Sequence, residues 1–117
     1  MKIKIKKKPR KFKVNIGGKK IELSDTATIS LKKNEQVTFK YLNSAYDVAK
    51  KDWGYYATPS INGRLKKFGF RTFLIKNKFN KIYLFLVHKN KVKSFTKYCK
   101  EDNQQILFEL TNGFKSL

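Results

Sequence analysis

The chain has 117 residues, 28 Lys and Arg against 8 Asp and Glu, and a formal charge of +20, with 40% hydrophobic and 15% aromatic content. That length predicts one compact domain, and that apolar content excludes a wholly disordered basic tail. Scarcity of carboxylates argues against chemistry built on paired acids or on oxygen-ligated metals.

The chain opens with Ile3 and Ile5 alternating with lysines, a pattern suited to an edge strand whose lysines discourage stray pairing. Pro9 separates it from FKVNI-GG-KKIEL, where Gly17-Gly18 reads as a two-residue hairpin loop. The register then follows: Val14 faces Ile21, Phe12 faces Leu23 and Lys13 faces Glu22. Apolar pairs fall on one side and the opposite-charge pair on the other. Residues 27–31 and 36–41 alternate again and are expected to bury Ile29, Leu31, Val37, Phe39 and Tyr41. Residues 32–35 have turn composition.

From 43 to 69 the apolar periodicity fails. Ser44 and Asp47 have capping-box spacing, which predicts a short helix beginning there and a long loop after it. A long loop inside a small domain is more often functional than accidental. Its aromatics either plug one end of the core or present themselves to a ligand, and the sequence alone leaves both open.

Residues 70–75 and 81–88 read as two strands joined by a turn at 77–80. The second carries apolar residues on both faces and is expected to be central in its sheet. Asn90 is a candidate cap for a helix over 91–101, with Val92, Phe95, Tyr98 and Cys99 as its buried stripe. Residues 105–110 form a closing strand, which a helical crossover permits to run parallel to the strand before the helix. The expected fold is α+β and β-rich: antiparallel amino-terminal strands followed by a β-β-α-β unit. One domain spans 1–117, with possible sub-units at 1–42, 43–69 and 70–112.

Cys99 is the only cysteine, so an intrachain disulfide is impossible and a reducing, cytoplasmic setting is the expectation. The basic amino terminus has no apolar segment behind it, so no secretory signal is expected. No apolar run approaches the roughly 20 residues needed to span a bilayer.

Catalytic constellations are missing from the pattern. His88 is the lone histidine, Ser60 lies outside a nucleophile elbow, and Cys99 sits on the apolar helix stripe. Asp47 and Asp52 are the two acids of the 43–69 segment, and at five residues apart they would point to different sides of a helix. No metal-ligand spacing and no phosphate-binding glycine fingerprint is present, so no cofactor and no metal are expected. Phe68-Gly69-Phe70 resembles only the aromatic-Gly-aromatic core of an RNA-recognition strand; its flanking pattern is absent, and both rings read better as core.

The positive charge carries the functional reading. Residues 1–21 hold ten basic side chains and no acid, and residues 53–100 hold twelve and no acid. Lysine's excess over arginine, 25 against 3, follows an AT-rich coding bias, but the lack of acids does not. Such a field attracts polyanions, and solvated faces are normally mixed in sign. The expectation is a non-enzymatic nucleic-acid-binding protein with RNA or single strands preferred. Lys6, Lys7, Lys8, Arg10, Lys50, Lys51, Arg64, Lys66, Lys67 and Arg71 would contact phosphates, while Trp53, Tyr55 and Tyr56 would stack on bases. The competing expectation is a pocket or enzyme for a nucleotide or sugar phosphate, formed by residues 43–71 with Arg64 and Arg71 as anion forks and Asp47 or Asp52 as polar determinants. An anionic membrane surface ranks behind both, because the sheet is expected to bury the only helix stripe.

Overall fold

A computed structural model describes residues 1–16 and 19–114. The fold is β-rich, with antiparallel sheets and few helices. Its radius of gyration is 16.2 Å, against about 13 Å for a compact domain of this length, because the first two strands are long and stand as a sheet of their own.

Strand β1 (Lys2–Ile16) pairs antiparallel with β2 (Lys19–Ser30). The register is the expected one: Val14 opposite Ile21, Phe12 opposite Leu23, Lys13 opposite Glu22. The loop expected at Gly17-Gly18 lies outside the described residues. Pro9 does not divide the segment into two strands. Ile5 pairs with Ala27 and Arg10 with Asp25, so Lys6, Lys7, Lys8 and Pro9 bulge out against Thr26 alone. A bulge tolerates a proline, which has no N–H to offer a ladder. Residues 27–30 are accordingly the far end of β2 rather than a separate strand, and Leu31 lies just past it.

The second sheet has the order β3-β4-β5, from Gln36–Tyr41, Ser44–Lys51 and Gly54–Ala57. The helix expected from Ser44 is β4 instead. Leu42 takes a positive φ of 52°, Tyr41 pairs with Ser44, and the Ser44 hydroxyl donates back to the Tyr41 carbonyl at 2.7 Å. Ser44 therefore closes a tight hairpin rather than capping a helix. Period-two alternation was present in this segment, but it sets Ala45, Asp47 and Ala49 against Tyr46, Val48 and Lys50, which apolar counting does not detect. Of the 27 residues at 43–69, twelve thus lie in two strands and four in a short helix, and the longest irregular stretch is residues 58–63.

Of the side chains expected to be buried on β2 and β3, Ile29, Leu31 and Val37 are half-buried, while Phe39 and Tyr41 are exposed. Beside this sheet lies a cleft of about 320 Å³, lined by Ala27 and Ile29 on one side and by Val37, Phe39 and Tyr55 on the other.

Helix α1 (Arg64–Lys67) follows, its first amides bonded to Ser60: Arg64 N–H to the hydroxyl oxygen at 3.2 Å and Leu65 N–H to the carbonyl at 3.0 Å. A Cβ on Gly63 would lie 2.2 Å from that hydroxyl oxygen, so a larger residue would have to turn the Ser60 hydroxyl away from the Arg64 amide. Leu65 is buried between α1 and the third sheet.

Strands β6 (Phe70–Lys76), β7 (Ile82–His88) and β8 (Gln105–Glu109) form that sheet in the order β7-β6-β8. A 3-10 turn at Lys89–Lys91 and helix α2 (Val92–Glu101) connect β7 to β8. The turn at 77–80 is held by the Asn77 side-chain oxygen, which accepts from the amides of Phe79 and Lys81 at 2.9 Å each. Asn90 does not cap α2; it lies within the 3-10 turn, and no side chain caps the helix.

The central strand is β6, not β7. Strand β8 runs in the same direction as β7, but β6 lies between them and pairs antiparallel with both. One face of the sheet meets α2 through Phe73, Ile75, Val87, Phe95 and Cys99, with Phe85, Val92 and Tyr98 around them. Each such large apolar side chain contributes about 1.5–3 kcal/mol when fully buried. The other face carries Ile82, Leu84 and Phe108 in the open. The doubly apolar pattern of β7 reflects this uncovered face rather than burial on both sides.

Candidate nucleic-acid interface

In the β3-β4-β5 sheet, the β4–β5 register sorts the aromatic cluster onto two faces. Tyr56 pairs with Ala49 and shares a face with Asp47 and Lys51; Tyr55 pairs with Lys50 and takes the opposite face. Trp53, in the turn between the strands, lies nearly parallel on Tyr56, with ring centroids 5.8 Å apart at 21°. Trp53 is 68% exposed and Tyr55 64%, so neither plugs the core. The ammonium of Lys50 sits over the Tyr55 ring at 5.2 Å. Lys51 donates to the Asn34 side-chain oxygen at 2.7 Å.

The three arginines are all engaged by carboxylates. Arg64 reaches the buried Asp47 at 2.9 Å and also donates to the Thr58 hydroxyl at 2.8 Å. Arg71 forks onto Glu109, its Nε donating at 2.8 Å. Arg10 lies 3.9 Å from Asp25, whose stronger partner is Lys6. Planar guanidinium suits such two-point pairing. The hydrogen bond from Arg71, and then that from Thr111, hold the Glu109 carboxyl below its usual range, while the same pairing raises Arg71.

Among the described residues, Lys7, Lys8, Lys50, Lys51, Lys66 and Lys67 have no carboxylate within ion-pair distance. Lys7 and Lys8 are exposed on the β1 bulge, in a different sheet from Lys50 and Lys51. The structure therefore divides the candidate cations: arginines and Lys6 tie elements together, and the remaining lysines are uncompensated. Trp53, Tyr56, Lys51 and the Asp47-bound Arg64 belong to one face of the middle sheet. Lys50 and Tyr55 belong to the other, and Lys6, Lys7, Lys8 and Arg10 to the first hairpin.

Asp47 and Asp52 do not share a site, since Asp52 pairs with Lys33 at 3.6 Å in the exposed turn. His88 ends β7 with its ring stacked on Phe70 at 4.8 Å. Burial, and then the nearby Asp102 charge, push the Cys99 thiol above its usual range, so it stays protonated inside the core. No cluster of three or more His, Cys, Asp or Glu side chains forms among the described residues. None of their helices is long and apolar enough to cross a membrane.

One cation escaped the sequence reading. The β6–β7 register sets Phe70 opposite His88, which places Lys89 beside Gly69, and the Lys89 amide donates to the Gly69 carbonyl at 2.8 Å. The turn at 77–80 contains that register implicitly, so counting outward from it would have found the contact. Comparison with protein-family models, curated proteins and solved structures gives no match.

Proposed function

We propose that the chain is a non-enzymatic nucleic-acid-binding protein of the α+β class, its β6-β7-α2-β8 unit carrying the core and its middle sheet the contact surface. The single observation behind this reading is the exposed Trp53–Tyr56 stack beside Lys51. Flat aromatic faces hold unpaired bases at about 1–3 kcal/mol each, whereas phosphates are held by uncompensated lysines through counterion release. Single strands, RNA included, are preferred because a paired base offers no free face to stack.

The small-anion alternative is less well supported, because both proposed forks, Arg64 and Arg71, already hold carboxylates. Of five clefts of about 190–440 Å³, none is lined by Trp53 or Arg64. The membrane-surface alternative is not supported by an amphipathic helix, since α2 turns its apolar stripe onto the sheet.

Titration of a fluorescently labelled single-stranded oligonucleotide tests the proposal. Micromolar affinity in low salt, weakening steeply as salt rises and quenching Trp53 emission, is the expected result. No binding at micromolar protein in low salt removes the proposal.

A further inference from the structure

Lys66 from α1, Arg71 from β6 and Lys89 from the 3-10 turn line one cleft of about 440 Å³. The only carboxylate on its lining is Glu109, so three cations face one anion and the cleft keeps a net charge of two positive. Neutral groups position the two lysines. Lys66 donates to the Asn112 side-chain oxygen, and the Lys89 side chain lies along Gly69, its Cε 3.7 Å from where a Cβ would stand. Gly69 has a φ of 86°, a turn that a β-carbon would strain. Glu109 compensates Arg71, but Lys66 and Lys89 come from two elements without matching acids, and an anion between them relieves their repulsion.

From this geometry we propose that the cleft binds the terminal phosphate of a nucleic-acid strand. The inference rests on the nucleic-acid reading above and adds which part of the strand is recognised. A phosphate monoester carries about −1.5 to −2 at neutral pH, close to the charge the cleft leaves open, whereas an internal diester carries a single charge. Arg71 stays on Glu109, leaving the point charges of Lys66 and Lys89 to meet the phosphate oxygens. Arg64, two residues before Lys66 on α1, is bonded to the face that carries Trp53. One short helix therefore joins the end-binding cleft to the stacking surface.

The test measures affinities of a single-stranded 12-mer carrying a 5′-phosphate, a 3′-phosphate or neither, with a longer unphosphorylated strand as the charge control. One phosphorylated form is expected to bind about tenfold more tightly than either control, because charge-assisted hydrogen bonds from the two ammoniums meet the monoester's second charge. Lys89→Gln should bring that ratio close to one, and Lys89→Arg should restore it. Trp53→Ala should weaken all strands and keep the ratio. Equal binding of phosphorylated and unphosphorylated strands overturns the inference and leaves the nucleic-acid reading standing. Failure to bind any strand overturns both. A ratio that survives in both Lys66→Gln and Lys89→Gln overturns the assignment to this cleft.

Discussion

Asp47 and Arg64, seventeen residues apart in sequence, form a 2.9 Å ion pair in which the carboxylate is buried and the guanidinium is half in solvent. The pair ties the middle strand of the β3-β4-β5 sheet to the start of α1. Thr58 supports it from the connecting loop: its amide donates to the Asp47 carbonyl at 2.9 Å and its hydroxyl accepts from Arg64. The stacking face and the cationic cleft are held in relation by this contact.

Arg64→Ala should destabilise the fold by about 1–3 kcal/mol, because it leaves a carboxylate without its main partner inside the protein. The figure sits below that for a fully buried pair, since water reaches the Arg64 side. Urea unfolding of the purified variant measures it, and an unchanged midpoint would mean that the pair contributes nothing.

Trp53→Ala should lower affinity for single strands by roughly 5- to 150-fold, equivalent to the loss of about 1–3 kcal/mol of stacking. Because Trp53 is exposed, stability should change by no more than about 0.5 kcal/mol. Fluorescence anisotropy with the labelled strand, alongside thermal unfolding, separates the two effects. Undiminished affinity would remove Trp53 from the interface.

Lys7 and Lys8 project from the β1 bulge without acidic partners. If both meet phosphates, the Lys7→Ala/Lys8→Ala variant should lose about 1.4 from the slope of log affinity against log salt on single strands, or 0.7 for each contact. A slope equal to that of the unaltered protein would place the bulge outside the footprint.

Three carboxyls lie below their ordinary range in the folded chain. Asp25 is lowered chiefly by the hydrogen bond from Lys6, Glu35 by the Lys32 amide and then the terminal ammonium, and Glu109 by Arg71. A carboxyl depressed by folding adds stability above its unfolded pKa, and loses that contribution as pH falls through the folded one. The unfolding temperature should therefore be nearly level from pH 5 to pH 7 and decline below about pH 4. The measurement belongs in high salt, which screens the added positive charge. A level profile down to pH 2.5 would show that these pairings do not stabilise the fold.

Several elements were legible because local periodicity encodes them. The Phe12–Leu23 register, the α2 stripe ending at Cys99 and the turn at Asn77 all follow from side-chain alternation or turn chemistry within a few residues. Strand β4 was not legible, because the residues it buries, Ser44, Asp47 and Ala49, are polar or small and form no apolar alternation. The edge position of β7 was hidden for the opposite reason. Ile82 and Leu84 look like core residues in sequence, but among the described residues no layer covers them.

The sequence by itself determined the size of the positive charge, its two acid-free blocks and the residue types available to meet a polyanion. Only the tertiary structure decided which cations stay free, since an ion pair depends on where distant strands bring a carboxylate. Arg64 and Arg71 were compensated in that way, and Lys66 and Lys89 were left facing one cleft. Charge is a sum over residues and can be read in one dimension. Compensation is a distance in space, and the path of the chain sets it.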